Sequence, residues 1–170
     1  MAAYLLDTNV ASWLLDAQHK RHSDALNFVA SVGGDSRIYI SRVTVAEIQY
    51  GYKVYANIDQ TRKQVIEQEL KKFQIREIDR HTTAPYSDIR AELFRKKASK
   101  DKRGKVLQKR PEDLVDKTTG KELGIQENDL WIAAIAVQNG LRLVTQDKMK
   151  NISQAIQSLY PQFKFDSLPN

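Results

Sequence analysis

Short apolar segments alternate along this chain with segments that have the apolar spacing of amphipathic helices. Strand-like segments are predicted at 4–6, 37–40, 73–78 and 141–145, with a short helix and an edge strand in the tail at 153–165. Helix-like segments are predicted at 9–15, 23–32, 44–52, 60–73, 83–97 and 129–139. Because this alternation favours parallel pairing, we expect one domain over residues 1–170, with a parallel sheet covered by helices on both faces.

The composition excludes several classes of protein. A length of 170 residues suits one domain with a sizeable core. The chain has no cysteine, which excludes disulfides, thiolate zinc sites and cysteine nucleophiles. It has no apolar run of the roughly 20 residues that a membrane helix needs, and its start lacks the basic region of a secretory signal. These features predict a cytoplasmic protein without membrane contact.

Four acidic residues stand where predicted strands end or predicted helices begin. Asp7 follows the first strand directly, and Asp147 comes shortly after the strand predicted before the tail. Glu47 and Asp129 lie near the starts of two predicted helices. Ligand crevices of open α/β sheets form at the carboxyl ends of the strands. The four carboxylates are therefore candidates to converge on that edge.

Each of these acids also has an ordinary structural explanation. The spacing of Thr44 and Glu47 fits a capping box, in which the glutamate satisfies a backbone N–H group. Asp129 in a first helical turn is favoured by the helix dipole, and Asp147 fits a simple turn or cap. Asp7 is the hardest to explain in this way, because an acid at the end of a buried strand needs a partner. The four together are more specific than any one of them.

Converging carboxylates point to a particular chemistry. They repel each other, and some would take up protons unless cations neutralised them. Mg²⁺ and Mn²⁺ prefer oxygen ligands, lower the pKa of a bound water and offset the charge of a phosphodiester in its transition state. The acids are therefore consistent with metal-dependent phosphodiester hydrolysis.

Four segments carry the acids in a characteristic order. They are Leu-Leu-Asp-Thr-Asn at 5–9, the acid-bearing helix at 40–48 followed by Gly51, the helix start at 128–136, and Leu-Val-Thr-Gln-Asp at 143–147. Together they resemble the PIN-domain nucleases, and especially the VapC-type toxins of bacterial toxin–antitoxin pairs. The segment at 128–136 is the most specific match, and the four segments span most of the chain.

The resemblance implies a three-layer α/β/α sandwich and a Mg²⁺- or Mn²⁺-dependent endoribonuclease. The site residues that it implies are Asp7 and Asp129 as principal metal ligands, Glu47 and Asp147 completing the acidic cluster, and Asn9 and Thr145 as supporting polar groups. The implied reaction is in-line attack of water on an RNA phosphodiester, leaving a 5′-phosphate and a 3′-hydroxyl. A homodimer and an antitoxin whose tail lies in the active-site groove are also implied.

Two other functions fit the same residues. One is a noncatalytic RNA- or protein-binding module on a PIN fold. The other is a housekeeping RNA-processing nuclease that is not a toxin. The sequence leaves both open beside the toxin hypothesis.

The net charge of +6 is concentrated in one segment. Residues 95–110 contain nine basic residues and one acid, so the remaining 18 basic and 20 acidic residues leave the body close to neutral. Relatives in the PIN family commonly run shorter here, and the polar segment 99–126 is predicted to be a basic loop insertion. Candidates for binding RNA or a partner are Lys96, Lys97, Lys100, Lys102 and Arg103. Three roles fit the basic segment 95–110: tracking an RNA backbone, holding an acidic antitoxin segment, or forming a solvated loop.

Overall fold

The computed structural model describes residues 2–54, 59–146 and 149–168. The strands are β1 Ala3–Leu6, β2 Arg37–Ser41, β3 Gln74–Arg76, β4 Arg142–Thr145 and β5 Phe165–Ser167. The α-helices are α1 Thr8–Leu15, α2 His22–Ser31, α3 Arg42–Val54, α4 Gln60–Leu70, α5 Thr83–Lys97, α6 Glu127–Gln138 and α7 Lys150–Leu159. A 3₁₀ turn at Pro111–Asp113 lies between α5 and α6. No helix of the described ranges is long and apolar enough to cross a bilayer.

The predicted strands and helices are all present, with ends that shift by a few residues. The helix predicted at 60–73 ends at Leu70, where a tight turn brings the Phe73 N–H to the Leu70 carbonyl at 3.3 Å. The strand predicted at 73–78 pairs only over Gln74–Arg76, because its partner β2 gives way to α3 after Ser41.

The five strands form one parallel sheet in the order β3-β2-β1-β4-β5. The chain leaves β1 toward β2 on one side and later returns to place β4 on the other side of β1. The strand order therefore reverses between β1 and β4, and a crevice at such a switch point is where open α/β sheets bind ligands. This topology singles out the carboxyl ends of β1 and β4.

Both faces of the sheet are buried, which confirms the three-layer architecture. Leu5 of β1 packs with the core formed by α5, α6 and α7. Its neighbours Tyr4 and Leu6 point to the opposite face, into the core formed with α1, α3 and α4. Successive side chains of a strand alternate between faces, so each strand contributes to both cores. Helix α6 is itself deeply buried, with Ile132–Ala136 at 0% exposure.

Helix α6 ends in a Schellman motif that directs the chain into β4. The N–H of Leu141 donates to the Ala136 carbonyl at 2.9 Å, and the N–H of Gly140 donates to the Val137 carbonyl at 3.2 Å. Gly140 has a φ of 62°, in the left-handed region that this motif requires at that position. Leu141 then enters the core at 3% exposure.

The segment predicted as a basic loop insertion is anchored to the body. Leu114 is fully buried and Ile125 is 6% exposed, and both belong to the core beneath α5 and α6. The Leu123 N–H donates to the Leu114 carbonyl at 2.9 Å, which ties the two arms of the segment together. The part of the segment around Leu114 and Ile125 therefore packs on the core, whereas the charged side chains of residues 99–110 are exposed.

Candidate functional site

Asp7 lies at the carboxyl end of β1, beside the crevice between β1 and β4. Its backbone N–H donates to the Val144 carbonyl at 2.9 Å, so the contact between β1 and β4 extends to this residue. Its side chain caps α1, because a carboxylate oxygen accepts from the N–H of Val10 at 2.8 Å. The residue is only 2% exposed. The fold thus holds one carboxylate firmly at the switch point of the sheet.

Glu47 connects three helices at the same edge of the sheet. The Thr8 hydroxyl of α1 donates to one of its carboxylate oxygens, and the Asn128 side-chain amide of α6 donates to the other at 2.8 Å. Thr8 follows Asp7 in the chain, and Asn128 precedes Asp129. The two hydrogen bonds therefore join Glu47 to the sequence neighbours of both residues predicted as principal metal ligands.

The capping-box explanation of Glu47 is wrong. Thr44 lies inside α3, and the group that caps this helix is Ser41, whose hydroxyl accepts from the Thr44 N–H at 2.9 Å. Both oxygens of Glu47 face side chains of other helices instead of the N–H groups of its own helix. Its position is therefore set by tertiary contacts.

Asp129 is half-buried in the first turn of α6 and lines a cavity of about 310 Å³. The other residues around this cavity are Leu123, Gly124, Ile125, Met149, Lys150, Asn151 and Ile152. One wall thus comes from the end of the predicted insertion, and another from the start of α7.

The fourth predicted acid, Asp147, lies outside the described residues. Within the described ranges, no group of three or more histidine, aspartate and glutamate side chains is close enough to hold a metal ion. The contacts of Glu47 with Thr8 and Asn128 bring the sequence neighbours of Asp7 and Asp129 together. The four-acid ligand set stays a prediction.

The carboxylate oxygens at this edge are suitable ligands for a hard cation. Carboxylate oxygens are the ligands that Mg²⁺ and Mn²⁺ prefer. Both oxygens of Glu47 accept from neutral groups, and among the described residues no lysine or arginine forms an ion pair with it. The charge of Glu47 is therefore not neutralised by a described basic side chain, which fits a site for a divalent cation.

The two predicted supporting residues differ in their placement. Thr145 is 2% exposed at the end of β4, next to the crevice. Asn9 is exposed and forms none of the side-chain hydrogen bonds found in the described part of the chain. Thr8 and Asn128 instead contact the acidic edge, and the sequence interpretation missed them. The sequence feature that could have identified them is their position, because each is the chain neighbour of a predicted metal ligand.

The basic candidates separate into paired and unpaired side chains. Lys96 forms an ion pair with Glu92 at 2.8 Å. Lys97, Lys100, Lys102 and Arg103 form no ion pair with any acid that the structure describes. The sequence treated these five residues as one group, and the structure does not.

Another cavity, of about 230 Å³, is lined by Glu47. It contains the ion pair of Arg62 with Asp16, in which the guanidinium donates to both carboxylate oxygens. Tyr52 also lines this cavity, and burial, reinforced by the charge of Asp16, raises its pKa to about 12. The Tyr52 phenol therefore stays protonated at neutral pH.

The Asp16–Arg62 pair predicts a pH effect on stability. Burial raises the pKa of Asp16, but hydrogen bonds from the Arg62 side chain and the Gln18 backbone, with the Arg62 charge, outweigh it and leave the pKa below 3.8. A depressed carboxyl pKa contributes stability that is present above the unfolded value and is lost as the pH falls through the folded value. Asp16→Asn should therefore lose less stability than the parent between about pH 7 and about pH 3, as measured by urea unfolding.

The exposed Asp35, which forms no ion pair with a described residue, provides the matched control. Asp35→Asn should follow the parent across the same pH range. Equal losses for the parent and Asp16→Asn would show that the Asp16–Arg62 pair does not contribute to acid sensitivity.

The largest cavity described, of about 700 Å³, lies away from the acids. It is lined by side chains near the amino ends of β2 and β3, among them Arg37, Ile38 and Gln74. The described acids, Asp7, Glu47 and Asp129, lie toward the opposite, carboxyl ends of the strands. Cavity size alone would therefore have indicated the wrong edge of the sheet.

Comparisons with solved structures identify proteins with the same fold. VapBC2 from Rickettsia felis, bound to a promoter DNA fragment, matches with a TM-score of 0.67 and 21% identity, over 98% of this chain and 99% of that one. FitAcB from Neisseria gonorrhoeae matches with a TM-score of 0.61 and 25% identity, over 96% of each chain. VapBC-1 from nontypeable Haemophilus influenzae matches with a TM-score of 0.61 and 19% identity, over 97% of each chain.

The sequence comparison is more direct. No curated protein matches the chain. The PIN-domain family profile matches residues 4–153, which include Asp7, Glu47, Asp129 and Asp147. This match covers most of the chain, including the positions of all four predicted acids. The chain therefore belongs to the PIN-domain family.

Proposed function

We propose that this chain is a Mg²⁺- or Mn²⁺-dependent endoribonuclease of the VapC type, the toxin of a toxin–antitoxin pair. The observation that carries the proposal is the placement of Glu47, whose two oxygens bind side chains adjacent to Asp7 and Asp129 at the switch point. Membership in the PIN family supports a nuclease. The solved structures with this fold include VapBC toxin–antitoxin complexes, which supports the toxin assignment.

Asp7 and Asp129 would hold the metal, with Glu47 and Asp147 completing the cluster directly or through water. The metal would supply an activated water and offset the charge that develops on the phosphodiester. Within the chain, Asp7 is fixed by its contact with Val10, and Glu47 is oriented by its contacts with Thr8 and Asn128.

The protein partners are also proposals. An antitoxin partner is supported by the VapBC complexes among the structural neighbours, and the family resemblance implies that its tail lies in the active-site groove. A homodimer is implied by the family resemblance, and the cytoplasmic location is proposed from the sequence features given above. A noncatalytic binding module on the same fold would bind RNA or a partner without cleavage, and a housekeeping nuclease would cleave without arresting growth.

The test is metal-dependent cleavage of RNA by the parent and by Glu47→Gln. The parent should cleave with Mg²⁺ or Mn²⁺ and stop when a chelator is added. Glu47→Gln keeps the size of the side chain but removes its charge, and groups that complete or orient a metal site are typically worth about 10–100-fold in activity. We expect a loss in that range, measured as the initial rate on a fluorescent RNA.

Glu122→Gln is the matched control, because Glu122 is exposed and forms no ion pair with a described residue. It should cleave at the parent rate. RNA binding by the parent with no cleavage under any metal condition would favour the noncatalytic module. Equal rates for the parent and Glu47→Gln would remove Glu47 from the site.

A further inference from the structure

Two adjoining cavities connect Asp129 with the end of α5. The cavity that contains Asp129 includes Asn151 in its wall. A second cavity, of about 530 Å³, shares Asn151 and is lined also by Leu93, Lys96, Lys97, Gln154, Ala155 and Gln157. The two cavities therefore adjoin at Asn151, and together they form a surface between Asp129 and the last turn of α5. We call this feature the α5–α7 groove.

The polar side chains along this groove are amides and lysines, which can donate hydrogen bonds. Asn151, Gln154 and Gln157 follow one another at intervals of three residues, so they share one face of α7. They cover about 9 Å of its length. Amide and lysine side chains are common partners of phosphate and sugar oxygens in protein–nucleic acid complexes. The wall of the groove thus suits a polar, anionic chain.

The groove ends next to a basic turn, residues 99–107, which we call the basic hairpin. It is closed by a bridge between Lys100 and Val106 and by the Leu107 N–H, which donates to the Ser99 carbonyl at 2.9 Å. Helix α5 ends at Lys97, so the hairpin starts two residues beyond the groove. The hairpin is therefore a direct continuation of the groove along the chain.

The acid in this hairpin does not pair with its cations. One Asp101 oxygen accepts from the backbone N–H groups of Arg103 and Lys105, at 2.8 and 2.9 Å. Its carboxylate therefore stabilises the turn. The cationic ends of Lys100, Lys102 and Arg103 are on exposed residues, and none forms an ion pair with a described acid.

Three of the flanking basic residues are paired, whereas Lys109 forms no ion pair with a described acid. Arg95 and Lys96 both pair with Glu92, and Arg110 pairs with Asp113. Unpaired positive charge is therefore concentrated on the hairpin and is not spread evenly over the segment.

Lys97 is an intermediate case. Hydrogen bonds from the backbone and side chain of Thr119 and the backbone of Thr118, followed by the charge of Lys97, lower the pKa of Asp116. Asp116 is therefore ionised at neutral pH and offsets part of the Lys97 charge. For this reason the RNA-binding test substitutes the hairpin cations and leaves Lys97 unchanged.

We propose that the backbone of a single-stranded RNA substrate runs from the Asp129 cavity along the α5–α7 groove and onto the basic hairpin, where Lys100, Lys102 and Arg103 contact its phosphates. This inference rests on the proposed nuclease function. It assigns the predicted insertion a role in holding the RNA beyond the scissile bond, so longer RNAs should bind more tightly than short ones.

RNA is favoured over an acidic protein segment by the character of the surface. A protein partner normally inserts apolar anchors into pockets. The apolar residues of the second cavity, Leu93 and Ala155, are buried at 1% and 2% exposure, and the accessible lining is amide and lysine. The groove also opens directly from the cavity of a proposed catalytic residue, as a substrate path should.

The test compares the affinities of long and short RNAs in the full-length chain, with Asp129→Asn present throughout to prevent cleavage. Single-stranded RNAs of about 20 and about 5 nucleotides span more and less than one typical binding site. The charge variant is Lys100→Gln, Lys102→Gln and Arg103→Gln together. The matched control removes three exposed, unpaired cations outside the groove, in Lys20→Gln, Lys71→Gln and Lys164→Gln.

In the charge variant, the ratio of the affinity for the long RNA to the affinity for the short RNA should fall toward 1. Its binding of the long RNA should weaken by up to about 100-fold at 0.1 M salt. Its slope of log affinity against log salt should fall by about 2, since each phosphate contact on a single strand contributes about 0.7. The control should keep the preference and the slope of the Asp129→Asn parent. Circular dichroism and thermal unfolding of the charge variant should match those of the control.

An unchanged preference in the charge variant would overturn the RNA path, even while the original chain cleaves RNA. Loss of antitoxin binding by that variant, with RNA affinity intact, would likewise overturn it and assign the hairpin to an acidic protein partner. Failure of the proposed function itself would appear separately, as absence of metal-dependent cleavage by the original chain.

Discussion

Asp7→Asn should reduce metal-dependent RNA cleavage by at least about 10³-fold while leaving the fold intact. Asparagine has nearly the same shape as aspartate and is an equally good N-cap, so the contact that Asp7 makes with the Val10 N–H can be kept. What is lost is the negative charge at the switch point of the sheet. A single substitution at Asp7 can therefore distinguish a role as metal ligand from a role as helix cap.

The measurement is the single-turnover cleavage rate with saturating Mg²⁺ or Mn²⁺, together with the free energy of unfolding. Asp35→Asn removes the same charge from an exposed residue and should match the parent in both. Cleavage by Asp7→Asn at the parent rate would show that Asp7 is only a cap. Unfolding of Asp7→Asn would make rate data uninformative about this residue, and Asp129→Asn would then carry the test of the site.

Leu114→Ala should lower the free energy of unfolding by about 2–5 kcal/mol, the usual cost of truncating a fully buried leucine. Leu114 has 0% exposure and lies in the core beneath α5 and α6, although it belongs to the predicted loop insertion. The same arm of the segment is fixed to the body by the ion pair of Glu112 with Arg90 at 3.0 Å. Removing the Leu114 side chain leaves a cavity where the segment docks.

Leu107→Ala is the matched control within the same segment. Leu107 is 61% exposed, so its truncation should change the unfolding free energy by no more than about 0.5 kcal/mol. Urea unfolding measures both variants against the parent. Equal, small effects at the two positions would mean that residues 99–126 do not depend on the core, which would contradict the docking seen here.

The arrangement of strands and helices could be predicted because its signals are local. Hydrophobic periodicity depends on neighbours within one or two turns, and most element ends fell within a few residues of the prediction. The exceptions were set by partners distant in sequence. Strand β3 is shorter than its alternating pattern because β2, its partner, ends where α3 begins.

The site could be predicted in part. Asp7 could be singled out because an acid after an apolar strand is unusual, and its burial agrees with that reading. The role of Glu47 could not be decided, since a capping box and a tertiary contact produce the same spacing. The hydrogen bond from Asn128 spans 81 positions in the chain, and no local pattern encodes such a contact.

In the basic segment, too, some features could be predicted from local sequence and others depended on tertiary contacts. The spacing of Glu92 and Lys96 at i and i+4 is a local signal for the ion pair that forms on α5. The pairing of Asp101 with backbone N–H groups depends on how the turn closes, and the burial of Leu114 depends on the body against which it packs.

The sequence by itself determined the parallel three-layer fold, the family resemblance and the four acids in their order, because periodicity and strand-end positions are local properties. Only the tertiary structure decided which neighbours orient Glu47, which cations lack an acidic partner and how the predicted insertion docks on the core. Those outcomes depend on contacts between residues far apart in the chain, which form only when the sheet and its helices pack together.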